Sequence, residues 1–305
     1  MKKIVNFFFA KGLRWTCMLL LFPVLSIHVS AQVLKPLQAD SLNKKRLKVV
    51  VIGTGAAYAA TMVALGQVWY SNFDRQSFSF FDDSKEWMQV DKVGHFYGAF
   101  QLNSLASRTL QWTGMGKRKS DRIGAITSFA MMGSIEVFDG FSSGFGASAS
   151  DLLANGLGVS LYLGQQALWD EIRIHPKFSF SQTRYAALRP NVLGDGLKEE
   201  LIKDYNGQTY WLSVDTDKFV NFPKWLNIVV GYGAEEMIFA TESANRNNGF
   251  DPHRQFYLGL DFDIHHLQTR SKALKTLIYF INMVKIPAPA IEFGKRGTKM
   301  HAFAF

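Results

Sequence analysis

From Val49 to Phe73 the chain carries no charged residue: VVVIGTGAAYAATMVALGQVWYSNF. As a helix this segment reaches roughly 37 Å, against the ~30 Å hydrocarbon thickness of a bilayer. Such a segment has two homes, a membrane or the fully enclosed centre of a large fold, and the sequence leaves both open. Gly53, Ala57 and Ala60 give it a small face for close helix contact. Lys44-Lys45-Arg46 and Lys48 precede it, and Trp87 with several Phe in the stretch 74–91 suits a membrane interface.

The N-terminus reads as an export signal. Met1 to Arg14 is basic, Trp15 to Ile27 is a short apolar run, and Val29-Ser30-Ala31 supplies small residues before Gln32. That three-part pattern predicts a signal peptide over 1–31. The single cysteine, Cys17, sits early in the apolar run rather than at its end, so lipid attachment is not expected. Cleavage leaves a chain without cysteine, which suits an oxidising envelope and excludes thiol catalysis, disulfides and thiolate metal sites. The chain's formal charge is +9, and four cations of the signal contribute to it. No basic stripe, zinc-ligand spacing or nucleic-acid motif accompanies the surplus, so no nucleic acid is expected as a partner.

The mature chain divides in texture. After a polar segment, 32–46, residues 47–173 read as a core of about four apolar helices. The first holds the uncharged run, and a loop comes after it over 74–91. Asp91–Trp112 has helical spacing through Val93, Phe96, Phe100, Leu105 and Leu110. Ser120 or Asp121 can cap a third helix to about Asp139. The glycine-rich turn 140–147 comes next, and Ser148 or Ser150 can cap a fourth helix from Asp151 to about Glu171. From 174 to 305 the period changes to two. Strands are expected over Lys177–Tyr185, Gln208–Val214, Leu226–Gly233, Gln255–Ile264 and 299–305, with an amphipathic helix within 268–285. The fold class is therefore α+β, an apolar helical bundle and then an antiparallel sheet. The terminal Phe305 and the apolar-out alternation of Arg254–Ile264 resemble the strands of outer-membrane barrels. Five or six strands fall short of the minimum of eight, so the sheet is either packed on the helices or a partial barrel.

Seven polar residues stand out against the apolar helices: Asp91, Lys92, His95, Glu136, Asp139, Asp151 and Asn155. Asp91 and His95 are four apart, Glu136 and Asp139 three, Asp151 and Asn155 four, so each pair shares a helix face. Asp91 and Asp151 lie in first turns, where a carboxylate answers the positive helix end. Glu136 and Asp139 lie in a last turn, where the dipole opposes negative charge, so they need a cation, a proton or a metal. Lys92 and His95 are the nearest cations supplied by sequence. Three roles are open to the set: a divalent metal held by His95, Glu136, Asp139 and Asp151, a buried ion network fixing helix register, or acid–base work with His95 held in one tautomer by Asp91 or Asp139. Gly53-Thr-Gly-Ala-Ala lacks the third glycine of a dinucleotide fingerprint and lies within one apolar run.

The ordered set Asp91-Lys92-x-x-His95-Phe96, Glu136-x-x-Asp139, and Asp151 with Asn155 and Gly158 resembles the YfiM-like family, a predicted periplasmic lipoprotein domain of unknown function. It is also similar, less closely, to the VanZ-like membrane family. The resemblance covers about residues 87–170. It implies an envelope protein with a helical core around these residues and implies no established reaction. Together these readings describe an exported, membrane-associated envelope protein with a structural or binding role, and membrane lipid or envelope components as partners. Its expected place is the periplasm or outer membrane of a diderm bacterium, with the inner membrane as alternative. The rival reading is an envelope hydrolase, metal-dependent or not, acting on a lipid or cell-wall fragment.

Overall fold

A computed structural model describes residues 42–70, 73–264 and 269–305 of the chain. The export signal and residues 32–41 of the polar segment lie outside the described residues. Helix α1 (Lys44–Leu65) starts within the basic cluster, where the Asn43 side chain accepts from the Arg46 amide at 3.0 Å. It runs into a π turn, Gly66–Tyr70. None of its residues is buried, and Val51 and Val63 are 61% and 63% exposed.

Three further helices complete the bundle: α2 (Val90–Trp112), α3 (Lys117–Gly140) and α4 (Ala149–Trp169). Helix α2 packs against both others, and small residues let the backbones approach. Gly124 of α3 lies against Asn103 and Ser107 of α2, and Gly158 of α4 against the Phe96 carbonyl. The Ser128 hydroxyl donates to the Ala99 carbonyl at 2.7 Å, beside the buried cluster Ala99, Ala125 and Val159. Helix α3 starts four or five residues earlier than a cap at Ser120 or Asp121 would set it. Both are buried inside it, and Asp121 accepts from the Ser107 and Tyr162 hydroxyls. Ser148 does cap α4, accepting from the Asp151 amide at 3.0 Å. The helix ends at Trp169, short of Glu171, because Asp170 turns left-handed at φ 57°.

The second half is an open six-stranded antiparallel sheet in sequential order. Its strands are β1 (Ile174–Phe180), β2 (Gln208–Val214), β3 (Leu226–Glu235), β4 (His253–Phe262), β5 (Ala288–Gly294) and β6 (Gly297–Ala304). The fold is α+β. β1 precedes its expected span by three residues, and β5 is a strand the alternation did not show. The amphipathic segment 268–285 supplies a helix over Lys272–Ile281. The segment behind that helix returns to the free edge of β1, where Phe178 bonds Met283 and Lys285 at 3.0 and 2.9 Å.

The sheet is inverted in polarity. One face carries Lys177, Asp261 and Glu292, each at most 4% exposed, together with Trp211 and Val229. Lys177 and Asp261 form an ion pair of 2.6 Å there. The opposite face presents Ile228, Val230, Phe256, Leu258 and Phe293, each at least 39% exposed. Where that face does meet the helices, Tyr210 packs on Tyr97 of α2 at 5.7 Å between ring centres, and Gln101 donates to the Pro176 carbonyl. Helix α2 is thus wedged between α3 and α4 on one side and the sheet on the other.

The tight α2–α4 crossing yields a stability prediction. A Cβ at Gly158 would lie 2.2 Å from the Phe96 carbonyl oxygen, whereas one at Gly164 meets nothing within 4 Å. Gly158→Ala is expected to destabilise the fold by ~1–3 kcal/mol or more through forced separation of the helices. Gly164→Ala is expected to be neutral or stabilising by ~0.5–1 kcal/mol. Paired denaturant titrations check both.

Candidate functional site

Helix α2 begins from an unusual turn. Trp87, Met88 and Gln89 all take positive φ, at 46°, 49° and 63°, a left-handed path costing roughly 1–2 kcal/mol per residue. The surroundings hold it in place. The Trp87 amide donates to the Ala240 carbonyl at 2.8 Å, the Tyr232 hydroxyl to the Met88 carbonyl, and Arg254 to Gln89 at 2.6 Å. Met88 is buried with Val90, Ala234 and Met237. The sheet therefore sets where Asp91, Lys92 and His95 stand.

Lys92 points its ammonium at three carboxylates. It donates to Asp83, to Asp91 at 3.0 Å, and to Asp151, whose Oδ1 is 2.8 Å away. Asp83 comes from the loop before α2 and also accepts from the hydroxyls of Ser148 and Ser150 at the start of α4. The other oxygen of Asp91 accepts from the Tyr205 hydroxyl at 2.7 Å. One helical turn on, His95 places Nδ1 3.2 Å from Asn155 Oδ1 and 3.6 Å from Glu136 Oε1, with Nε2 3.9 Å from Asp91 Oδ1. Glu136 accepts from the Ser148 amide at 3.1 Å through its other oxygen, and Asp139 accepts from the Tyr70 hydroxyl at 2.6 Å.

Three helices of the bundle and three further segments, carrying Asp83, Tyr70 and Tyr205, thus converge where α2 and α4 begin and α3 ends. Asp91, Lys92, His95, Glu136, Asp151 and Asn155 touch one another in sequence-expected company. Asp139 sits at the margin with Tyr70. Lys92 serves Asp83, Asp91 and Asp151 rather than the carboxylates of α3, and His95 takes Glu136. His95 meets Asn155 and Glu136 at Nδ1 and Asp91 at Nε2, while Asp139 accepts from Tyr70 instead. Asp83, Tyr70, Tyr205 and the Ser148 hydroxyl are members that the sequence pattern missed. Only Ser148 carried a signal, as a helix cap.

Five carboxylates surround one ammonium and one imidazole, and burial makes that imbalance costly. Burial, with Asp151 and Asp139 nearby, pushes Glu136 up to about 8 despite His95. Asp139 and Asp151 are pushed up to about 6, chiefly by burial. Burial opposes charge on His95, but Asp91, Asp151 and Glu136 outweigh it and raise its pKa above the ordinary value. Asp83 goes the other way: burial works against its charge, while Lys92 and the two serine hydroxyls hold it below the ordinary carboxylate value.

Fold and site define an α+β protein whose apolar helical half closes on a charged cluster. A family model described as a predicted periplasmic lipoprotein (DUF2279) matches residues 77–164, under a third of the chain. The matched span contains all seven polar residues singled out in the sequence. It supports an exported, envelope-associated protein. It carries the periplasmic-lipoprotein part of the resemblance drawn from sequence, not the YfiM-like name, and gives the VanZ-like likeness no support. No curated protein and no solved structure matches the chain.

The raised groups define a pH dependence. Where the folded state holds a proton more tightly than the unfolded chain, stability is full below the unfolded pKa and falls as pH rises through the folded one. For Glu136 that window runs from 4.5 to about 8, and Asp139, Asp151 and His95 act in the same direction. Asp83 opposes them only at acid pH. In chelator-treated protein the melting temperature is expected to fall from about pH 5 to about pH 8, and Glu136→Gln is expected to flatten the slope. Scanning calorimetry across that range checks it; a slope unchanged by the substitution contradicts the assignment.

Proposed function

We propose that this is an envelope protein seated on a membrane through α1, with the charged cluster as a binding site at the periplasmic end of its helical bundle. The carrying observation is that α1, whose hydropathy and length suffice to cross a bilayer, has none of its residues buried by the rest of the fold. A soluble protein gains nothing by holding Val49, Val51, Ile52 and Val63 in water, each at least 48% exposed. Ile126, Leu153 and Leu157 on α3 and α4 extend the apolar surface, and the Tyr58–Ser134 hydrogen bond ties α1 to α3. The exposed apolar sheet face, with its charges on the covered side, has the polarity of a lipid-facing sheet and favours the outer membrane.

A binding role fits the cluster better than hydrolysis. Glu136 is 2% exposed, so it does not stand ready to activate water on a bulky substrate.

The membrane seat is tested with residues whose side chains the fold leaves free. Ile52→Lys and Val63→Lys alter positions 59% and 63% exposed, so the remaining fold is expected to persist. Each charge costs roughly 2.5–3.5 kcal/mol near the centre of a spanning helix. The parent is expected to resist carbonate extraction and the double variant to be released in folded form. Equal behaviour of the two, or a parent recovered wholly in the soluble fraction, contradicts the proposal. Separation of inner and outer membranes by density decides which one holds it.

A further inference from the structure

We infer that Asp91, His95 and Asp151 form a site for a borderline divalent cation of the manganese-to-zinc series, with Asn155 and Glu136 as the groups that orient the imidazole. This deepens the reading of the cluster as a binding site and is independent of which membrane holds the protein. One ligand atom from each of the three residues can be chosen so that all lie within 4.8 Å of one another. Two ligands of a tetrahedral ion in a ~2.1 Å shell stand about 3.4 Å apart, so the widest pair closes by up to roughly 1.4 Å on binding.

The imidazole carries the argument. Its Nδ1 meets one acceptor within hydrogen-bond distance, Asn155 Oδ1 at 3.2 Å, with Glu136 Oε1 behind it at 3.6 Å, and we take that nitrogen as the N–H. Its Nε2 lone pair is then turned toward Asp91 Oδ1, itself an acceptor, at 3.9 Å. That separation is too long for a hydrogen bond and suits two ligands of one ion. A metal-bound histidine characteristically gives its other N–H to a carboxylate or carbonyl oxygen, and this one is built that way.

A second observation comes from α3. Glu136 is 2% exposed, yet its Oε1 has no hydrogen-bond partner, and it is directed at His95. Asn155 is fully buried and its Nδ2 is likewise unpartnered. The orphaned Glu136 oxygen behaves as the outer ring of a site whose centre is cationic, while Asn155 contributes its Oδ1 to the imidazole. Lys92 already meets both oxygens of Asp151, at 2.8 and 2.9 Å, so a bound ion shares that carboxylate with the ammonium or displaces it. Lys92 engages Oδ2 of Asp91 and leaves Oδ1, already oriented by Tyr205, facing the imidazole. One nitrogen and carboxylate oxygens favour zinc or manganese over magnesium or calcium, which prefer all-oxygen shells.

The test uses the full mature chain in detergent. Stripped protein is titrated with Mn²⁺, Zn²⁺ and Mg²⁺, reading bound ion per chain, melting temperature and the imidazole proton signals. One equivalent of Mn²⁺ or Zn²⁺ is expected to bind, with melting raised, and Mg²⁺ at least tenfold weaker. Mn²⁺ is expected to broaden His95 selectively and spare His175, which pairs with Asp215 in the sheet region at 3.0 Å. His95→Gln and Asp151→Asn are expected to weaken binding at least tenfold, and Asp215→Asn to leave it unchanged. Absence of a bound equivalent in folded parent, or broadening of His175 as strong as that of His95, overturns the site even if the variants fail to fold. Because the membrane seat is read by extraction, a metal-free protein that stays in the membrane removes this inference alone.

Discussion

One half-buried ammonium organises the functional end of this molecule. Desolvating a lysine costs several kcal/mol unless partners compensate, and Lys92 draws its partners from three places: the loop at Asp83, its own helix at Asp91 and the start of α4 at Asp151. The bond from Ser148 to Asp83 then fixes the α4 cap to the same loop. Because the cation is shared, no two of these segments can separate without leaving a carboxylate unpaired in a low-dielectric setting. His95 extends the arrangement one turn along α2 to reach α3. The negative charge left over after Lys92 gives the cluster its appetite for protons or a further cation.

Around that centre, polarity is distributed in an unusual way. Helix α2 buries Asn103, Ser104 and Ser107 on its flanks, using small polar residues where a soluble bundle would use leucine. The sheet hides Lys177 and Asp261 and shows Phe256 and Leu258. Both choices fit the proposed membrane seat, where close helix packing replaces apolar burial and lipid replaces water at the surface. The left-handed turn at Trp87–Gln89 joins these halves, since its bonds run to β3, β4 and the loop between them, while the helix it opens carries the cluster.

Much of this was legible in sequence. The polar residues of the helices stood out because charge is rare there, and their three- and four-residue spacings placed each pair on one face. Strand β2 was read to the residue from its alternation. β5 was not, because Pro287 and Pro289 argue against a strand; the structure accommodates Pro289 at a register shift between Ala288 and Ala290. The early start of α3 escaped because Asp121, a good cap by type, is needed inside the bundle by Ser107 and Tyr162, while Ser120 bonds the Met115 carbonyl. Asp83 and Tyr205 escaped for a different reason. No periodicity places a loop carboxylate or a tyrosine 114 residues downstream beside Asp91.

Those long separations bear on how the molecule is built. The bond from Tyr232 to the start of α2 closes a loop of 144 residues, and the amide of Trp87 waits for Ala240. A nascent chain that has emerged only through α4 holds every charged residue of the cluster but lacks the contacts that bend the backbone into it. Completion of the site is therefore a late event in synthesis, gated by the arrival of β3 and the loop behind it. The helical segment that the periplasmic-lipoprotein family model matches takes its shape, in this chain, from strands made after it.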